Sequence, residues 1–313
     1  MLLHLIAIFL VLSKNFVSGF IVPIPRLPRI NILLSNDDGW AEANIRALYT
    51  ALNRRGHHAI ISAPAVDLSG TGSLDVPARP LLVEGEYGTI PVGAPAEGFE
   101  ENDPRINYVN SFPVTSVKYG LSSLSTKFFG GPPDIVLTGP NVGNNLGITT
   151  QLSGTMGAAA EAVKQGIPAI AFSGATGPHR PYTELTVGDH SSVYAQVAVR
   201  LAQALIVSGK PYLPPGVRQN VNFPASNATT CSSPYQFRFV LSRIYNNRFA
   251  TDVSLCGSTH LPAESDVIRP RDPAQDHGCL ASISTFSGST KIDAGREAQA
   301  FVLRKLGPML TCP

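Results

Sequence analysis

The stretch RINILLSNDDG, residues 29–39, places a short apolar run directly before an asparagine, two aspartates and a glycine. Such a run, ended by turn-forming residues, predicts a buried strand followed by a loop. Ile45, Leu48 and Leu52 follow at helical spacing, and HHAIISAP (residues 57–64) has the composition of a second strand. The first segment therefore predicts a β-α-β unit, with the two aspartates at the end of its first strand.

The same alternation of strand and helix continues along the chain. PDIVLTGPN (133–141) and IPAIAF (167–172) are typical of strands, while SGTMGAAAEAVKQG (153–166) and SSVYAQVAVRLAQALIVSG (191–209) are typical of helices. Consecutive parallel strands need crossover connections, so this order predicts a mostly parallel sheet with helices on both faces. The predicted fold class is α/β, with a Rossmann-like sheet.

The texture changes from about Leu213, where predicted strands alternate with long polar loops before a closing helix at residues 294–306. We therefore divide the chain into three parts: residues 1–19, a Rossmann-like core at 20–180 that carries the site, and a C-terminal part at 181–313. The C-terminal part is expected to complete the domain with β-hairpins and to supply an oligomer surface.

Composition limits the class of protein. The 313 residues carry 24 Lys and Arg against 22 Asp and Glu, a net charge of +2. This balance gives no basic field for polymeric nucleic acid, which is excluded as a main partner. A hydrophobic fraction of 43% predicts an ordinary globular domain. Beyond the N-terminus, no stretch has the length of a membrane span, so no membrane partner is expected.

Three features indicate export. Residues 1–19 begin with an apolar run too short to cross a bilayer and resemble a secretory signal peptide cleaved after Gly19; a buried N-terminal helix is the alternative. The chain has four cysteines without metal-ligand spacing, which predicts two disulfides of open pairing: Cys231, Cys256, Cys279 and Cys312. Asn227 begins a glycosylation sequon. The expected location is extracellular or in the secretory lumen.

Polar loops follow the predicted strands at the sheet edge where α/β proteins bind ligands. Asp37 and Asp38 adjoin each other, and ionising both in a partly buried cleft is costly unless a cation compensates their charge. Together with serine and asparagine oxygens on the neighbouring loops, they form an all-oxygen set that suits Mg²⁺ or Mn²⁺, with Ca²⁺ possible. The alternative is that one aspartate only caps the following helix.

A second candidate feature is the helix start at Ser153, Gly154 and Thr155. Its free backbone N–H groups, two hydroxyls and positive helix dipole suit a phosphate. The alternative is an ordinary N-cap by Ser153 with glycine for close packing. Beside a cation site, a phosphate monoester becomes the natural ligand, because its hydrolysis uses both a cation and N–H donors. No histidine shows metal-ligand spacing, and none is assigned to the site.

Four motifs in order resemble the survival protein SurE family of metal-dependent 5′-nucleotidases and acid phosphatases. They are ILLSNDDGW, APAVDLSG, TGPNVGNNLG and SGTMGAAAEA, within residues 30–172. The resemblance implies a SurE-like fold and a divalent cation held by Asp37, Asp38, Ser69 and Asn141. It also implies that phosphate binds near Asn145 and the helix start, and that the protein forms a dimer or tetramer.

The expected function is hydrolysis of small phosphomonoesters, nucleoside 5′-monophosphates among them, with Asp37 and Asp38 as catalytic metal ligands. The segment Ser111-Phe112-Pro113-Val114-Thr115 lacks the aspartate found in the family, and residues 42–45 also depart from the family pattern. A broad acid phosphatase is therefore as well supported as a strict nucleotidase. The rival hypothesis is a secreted module without catalysis that binds a phosphorylated or sugar ligand through the same cation.

Overall fold

The computed structural model describes residues 28–269 and 278–313. The predicted signal segment, residues 1–19, lies outside the described residues. Nine strands form one sheet in the order β3-β4-β2-β1-β5-β6-β7-β9-β8. The strands are β1 (Asn31–Ser35), β2 (His58–Pro64), β3 (Glu97–Glu100), β4 (Asp103–Val109), β5 (Ile135–Val142), β6 (Ala169–Gly174), β7 (Val217–Phe223), β8 (Arg238–Ser242) and β9 (Leu280–Ser287).

The sheet is mostly parallel, as the alternation of strands and helices predicts. Its antiparallel pairs within the described residues are β3–β4 and β7–β9, while β1 pairs in parallel with both β2 and β5. The helices are α1 (Ala43–Arg54), α2 (Pro113–Tyr119), α3 (Ser125–Phe129), α4 (Thr149–Leu152), α5 (Gly154–Lys164), α6 (His190–Val207), α7 (Glu264–Ile268) and α8 (Arg296–Leu306). None of the helices in the described part of the chain is long and apolar enough to cross a membrane.

Strand β1 is buried on both faces, which explains its nearly continuous apolar sequence. Ile32 and Leu34 pack into one cluster with residues of α1 and α6, while Leu33 packs on the opposite face with residues of α2 and α5. The alternation follows from the two-residue period of a strand. Helices thus cover both faces, and the α/β fold class is confirmed.

The position of β1 in the sheet determines where a ligand can bind. The chain runs outward from β1 to β2 in one direction and later returns to β5 on the other side of β1. At such a reversal of strand order the two crossovers diverge, leaving a crevice at the carboxyl ends of the strands. The loops after β1 and β5 meet at this crevice.

The C-terminal part extends the same sheet. Strand β7 pairs with β6 in parallel and with β9 antiparallel, and β8 lies outside β9. Two disulfides, Cys231–Cys279 and Cys256–Cys312, connect this region, and none of the described cysteines is free. The C-terminal part, in which β-hairpins were expected, contains the antiparallel pair β7–β9, while β8 and β9 are parallel. The two predicted disulfides are confirmed, and the pairing that the sequence leaves open is settled.

Candidate active site

The two aspartates and Asn141 come together at the crevice. Asp37 and Asp38 lie one residue beyond the end of β1, and Asn141 lies near the end of β5, where the register with β6 shifts between Thr138 and Asn141. Bulges of this kind change the direction in which a side chain points, and they occur often beside active sites. All three side chains are buried.

The start of α5 lies directly against Asp37. The Thr155 hydroxyl forms a hydrogen bond with Asp37 Oδ1 and lies 2.9 Å from Asn141 Oδ1. Gly154 allows this approach, because a Cβ at that position would be 2.7 Å from Asp37 Cβ and 2.9 Å from Pro113 Cγ. The predicted cation loop and the predicted phosphate helix are therefore neighbours.

Asp38 has different surroundings. Its carboxylate accepts a hydrogen bond from the Val142 backbone N–H, with Oδ2 at 3.2 Å, and its Oδ1 lies 2.9 Å from His179 Nε2. Helix α1 does not use either aspartate as its cap, since the Glu42 carboxylate accepts the hydrogen bond from the Asn44 N–H. Capping of this helix is thus not the role of Asp37 or Asp38.

Burial raises the pKa of both aspartates. The cost of removing a carboxylate from water is the largest cause for each, and the negative charge of Asp37 raises the pKa of Asp38 further, well above its ordinary value. No lysine or arginine forms an ion pair with either carboxylate among the described residues; the imidazole of His179 lies beside Asp38. Without a compensating positive charge the pair therefore tends to retain a proton, and a cation bound here would offset both carboxylates.

The oxygen atoms present fit a hard divalent cation. The Thr155 hydroxyl lies between two other oxygen atoms. It contacts Asp37 Oδ1 and Asn141 Oδ1 and has one proton for both. No group of three His, Cys, Asp or Glu side chains in the described ranges is arranged to hold a metal ion. A cation here would accordingly depend on amide and hydroxyl oxygens besides the two carboxylates, which is the chemistry of Mg²⁺ or Mn²⁺ sites rather than of zinc sites.

Ser69 lies on the loop beside this pair. The Leu68 N–H donates to the Asp37 carbonyl oxygen at 2.8 Å, which holds the loop next to the aspartates. The Ser69 hydroxyl is exposed and donates to Asp67 Oδ1 at 2.7 Å. Because this bond uses the hydroxyl proton, the oxygen retains lone pairs for a cation.

The remaining predicted residues lie on both sides of α4. Ser153 is the N-cap of α5, and its hydroxyl accepts a hydrogen bond from the Met156 N–H at 3.2 Å. Asn145 is buried in the loop after β5, and its Nδ2 donates to Ser173 Oγ at 3.0 Å. Ser153 is thus an N-cap, as the alternative interpretation held, and Thr155 is the residue of this turn that contacts Asp37.

Sequence reasoning missed three ionisable side chains beside the pair. His179 reaches Asp38 from the loop after β6, and Glu42 and Glu86 lie in the same acidic surroundings. Burial, followed by the charge of Asp38, raises the pKa of Glu42 to about 8. Burial, followed by the charge of Glu42, raises the pKa of Glu86 to about 8 as well. No periodicity or motif marks these three residues. For His179 the available signal was its position in the loop that follows a predicted strand.

Comparison with known proteins places the chain. The family model described as survival protein SurE matches residues 32–248. An acid phosphatase from Yarrowia lipolytica is 34% identical over 309 residues, covering 88% of this chain and 84% of that protein. A 5′-nucleotidase SurE from Lawsonia intracellularis is 34% identical over 196 residues, covering 63% of this chain and 66% of that protein.

A solved structure shares the fold. The SurE protein from Aquifex aeolicus superposes with a TM-score of 0.55 at 23% sequence identity, covering 83% of this chain and 94% of that one. The family match spans more than half of the chain, from β1 to beyond β8. The chain therefore belongs to the survival protein SurE family.

Proposed function

We propose that the protein is a divalent-cation-dependent phosphomonoesterase that hydrolyses small phosphate monoesters, nucleoside 5′-monophosphates among them. Membership of the family, with relatives named acid phosphatase and 5′-nucleotidase, makes the chain a phosphomonoesterase. The observation that carries the site assignment is the contact between the buried Asp37 and the Thr155 hydroxyl at the start of α5. This contact brings the proposed cation ligands and the proposed phosphate-binding helix start into one crevice.

In this proposal the aspartates hold the cation together with Asn141 and Ser69. The bound cation supplies positive charge that offsets the charge developing on the phosphoryl group and lowers the pKa of a bound water. Asp37 and Asp38 are also the catalytic residues in this proposal, since they alone bring full negative charge to the cation.

The phosphoryl oxygens lie, in the same proposal, against the residues that frame α4. Ser153, Gly154 and Thr155 contribute the N–H groups and hydroxyls of a helix start, where the helix dipole favours negative charge. Asn145 contributes from the loop after β5. Donors that are already in place before reaction need no reorganisation as charge develops, and this is the main advantage of a preorganised site.

Some relatives are named acid phosphatase and others 5′-nucleotidase, so the range of substrates needs a separate proposal. The departures at residues 111–115 and 42–45 lie outside the proposed cation ligands. We therefore expect nucleoside 5′-monophosphates and simple aryl phosphates to be hydrolysed at comparable rates. A preference above a hundredfold for nucleotides would instead indicate a strict nucleotidase.

A phosphate-release assay tests the function. Purified protein is incubated with nucleoside 5′-monophosphates and 4-nitrophenyl phosphate, first with EDTA and then after readdition of Mg²⁺, Mn²⁺ or Ca²⁺. We expect release only with a cation, and the rank order of the three identifies the preferred one. Binding of inorganic phosphate that needs the cation, without turnover of any ester, would favour the binding module instead.

Three further properties are proposed with this function. The two disulfides are consistent with secretion. The Asn227 side chain is exposed, and its Oδ1 accepts from the Thr229 N–H at 2.9 Å within the sequon, so we expect it to carry a glycan in a eukaryotic host. We also expect a homodimer or tetramer, which light scattering of the purified protein measures.

A further inference from the structure

The loop after β5 is attached to the C-terminal part of the chain by side chains rather than by strand pairing. Asn145 is held at both ends of its own backbone: its N–H donates to Asn222 Oδ1 at 2.9 Å, and its carbonyl oxygen accepts from Asn220 Nδ2 at 2.8 Å. Asn222 Nδ2 also donates to the same carbonyl oxygen, at 3.1 Å. The orientation of the two β7 amides therefore decides where the Asn145 backbone lies.

Glu264, at the start of α7, is the residue that orients one of these amides. Its side chain is fully buried. Oε1 accepts the Gly147 backbone N–H at 2.9 Å, and Oε2 accepts Asn220 Nδ2 at 3.0 Å and Ser284 Oγ at 3.0 Å. The carboxyl group thus contacts the loop directly at Gly147 and indirectly, through Asn220, at Asn145.

Asn220 uses both hydrogens of its amide nitrogen in these contacts. One goes to the Asn145 carbonyl oxygen and the other to Glu264 Oε2, while Asn220 Oδ1 has no hydrogen-bond partner within the described ranges. If the amide turned over, Oδ1 would face two acceptors, and both bonds would be lost. Glu264 therefore holds Asn220 in the orientation that donates to the loop.

We propose that Glu264 is a positioning residue for the substrate loop, residues 143–147, acting through Asn220. The proposal rests on the function proposed above, because it assigns Asn145 to the substrate. It adds a role for the C-terminal part of the chain: this part fixes the geometry of a loop that belongs to the first half of the sheet. Glu264 itself does not touch the substrate.

The protonation state of Glu264 does not remove this role. Burial raises the pKa of Glu264 to about 8. A neutral carboxyl can direct its single proton to Ser284 Oγ and keep a lone pair for Asn220. An amide in the same place has no acceptor on its nitrogen, so a glutamine differs from a protonated glutamate.

Glu264→Gln is accordingly the informative variant. If its oxygen stays at Gly147, its NH₂ group faces Asn220 Nδ2, and Asn220 must turn over and release the Asn145 carbonyl oxygen. If its oxygen instead faces Asn220, its NH₂ group faces the Gly147 N–H. Either way one bond to the loop is lost, while the size of the side chain is kept.

We expect Glu264→Gln to lower kcat/KM for every ester by roughly ten- to a hundredfold, as small misplacements near a reacting group do. Competitive inhibition by inorganic phosphate should weaken in parallel. Ser284→Ala is the matched control, because it removes another hydrogen-bond partner of the same Oε2 atom, and Ser284 has no contact with the loop itself. We expect that control to keep activity within about twofold of the wild type.

Two further measurements separate positioning from general loss of structure. Hydrogen exchange of a peptide covering residues 143–147 should be roughly tenfold faster in Glu264→Gln, as expected for one lost hydrogen bond, and unchanged in Ser284→Ala. In a double-mutant cycle with Asn220→Ala, Glu264→Gln should add little further loss. If Asn220→Ala does not fold, the exchange data and the Ser284 control decide.

The outcomes are distinct. Wild-type exchange and wild-type kcat/KM in Glu264→Gln would overturn the proposal, as would an equally large loss in Ser284→Ala or full additivity in the cycle. If the wild type itself hydrolyses no ester, the proposed function is wrong, and the exchange of the loop still tests whether Glu264 holds it.

Discussion

Asp37 and Asp38 are neighbours in the chain, yet each contacts a different strand or helix. Asp37 contacts the start of α5 through Thr155, whereas Asp38 contacts the Val142 N–H and His179. Burial opposes ionisation of both, and their mutual repulsion adds to that cost. At the scale of single residues, the site is thus a pair of buried carboxylates whose ionisation is costly, and the proposed cation would offset that cost.

Replacing either aspartate by asparagine should separate activity from stability. We expect Asp37→Asn and Asp38→Asn each to lower kcat/KM on the order of a thousandfold, since each removes one negative charge from the proposed cation site. In EDTA at pH 7, their thermal stability should equal or exceed that of the wild type, because a buried neutral amide avoids the repulsion. Added Mn²⁺ should raise the Tm of the wild type alone. Full activity in both variants would contradict the cation site.

Glu86 supplies a prediction about pH. Its pKa is about 8 in the native state, against an ordinary value of 4.5. Between these values the unfolded chain has released a proton that the native state retains, so the free energy of unfolding falls as pH rises from about 4.5 to 8. Glu86→Gln removes this contribution and should therefore gain stability relative to the wild type across that window.

Urea unfolding in EDTA at pH 4, 6 and 8 measures the difference. The advantage of Glu86→Gln should be absent at pH 4 and largest at pH 8. Glu84→Gln is the matched control, because Glu84 is exposed two positions earlier and loses the same charge. Parallel pH profiles for wild type and Glu86→Gln would contradict the assignment.

At the scale of elements, the first turn of α5 combines two separable roles. Ser153 caps the helix by accepting the Met156 N–H, whereas Thr155 points its hydroxyl at Asp37 and Asn141. Sequence reasoning predicted both the cap and the ligand site here and left the choice open. The two roles belong to different residues of one turn.

Ser153→Ala and Thr155→Val should therefore differ in kind. Loss of the cap in Ser153→Ala should cost about 1 kcal/mol in the free energy of unfolding. Thr155→Val keeps the side-chain shape and removes the hydroxyl that joins Asp37 to the proposed phosphate-binding helix start, so kcat should fall on the order of a hundredfold, with a smaller change in KM. Steady-state kinetics and urea unfolding of both variants check this. A Thr155→Val enzyme with changed KM and unchanged kcat would contradict this prediction and limit Thr155 to ground-state binding.

The elements that the sequence predicted are those with a strong local signal. The apolar run of β1, the helical spacing after it and the alanine-rich stretch of α5 all appear where expected. The contacts of His179 and Glu264 were not predictable, because His179 meets Asp38 across 141 positions and Glu264 meets Gly147 across 117. Such pairs depend on the order of strands in the sheet, which local patterns do not specify.

At the scale of the whole molecule, one sheet contains strands from both the predicted core (residues 20–180) and the C-terminal part (residues 181–313). Strands from residues 31 to 287 pair side by side, and both disulfides lie in the later part. Cys231–Cys279 spans 48 positions and Cys256–Cys312 spans 56. Closing loops of this length restricts the unfolded chain, which typically stabilises the native state by about 2–4 kcal/mol for each bridge.

The double variant Cys256→Ser with Cys312→Ser should lower the free energy of unfolding by about 2–4 kcal/mol. Its kcat/KM at 25 °C should stay within about twofold of the wild type, because neither cysteine belongs to the proposed cation or phosphate site. Urea unfolding and steady-state kinetics measure both, and thiol titration of unfolded, unreduced wild-type protein should detect no free thiol. Four titratable thiols would contradict both bridges.

The place of β9 also affects the order in which the chain can fold during synthesis. Strands β7 and β8 leave the ribosome first, yet each pairs with β9, and Phe239 of β8 also pairs with Leu310. Cys231 and Cys256 likewise cannot form their disulfides until Cys279 and Cys312 have been synthesised. Until about residue 280 has emerged, the outer edge of β7 is open and two thiols remain unpaired. Nascent chains stalled before that point should therefore depend most on chaperones and on enzymes that prevent incorrect disulfides.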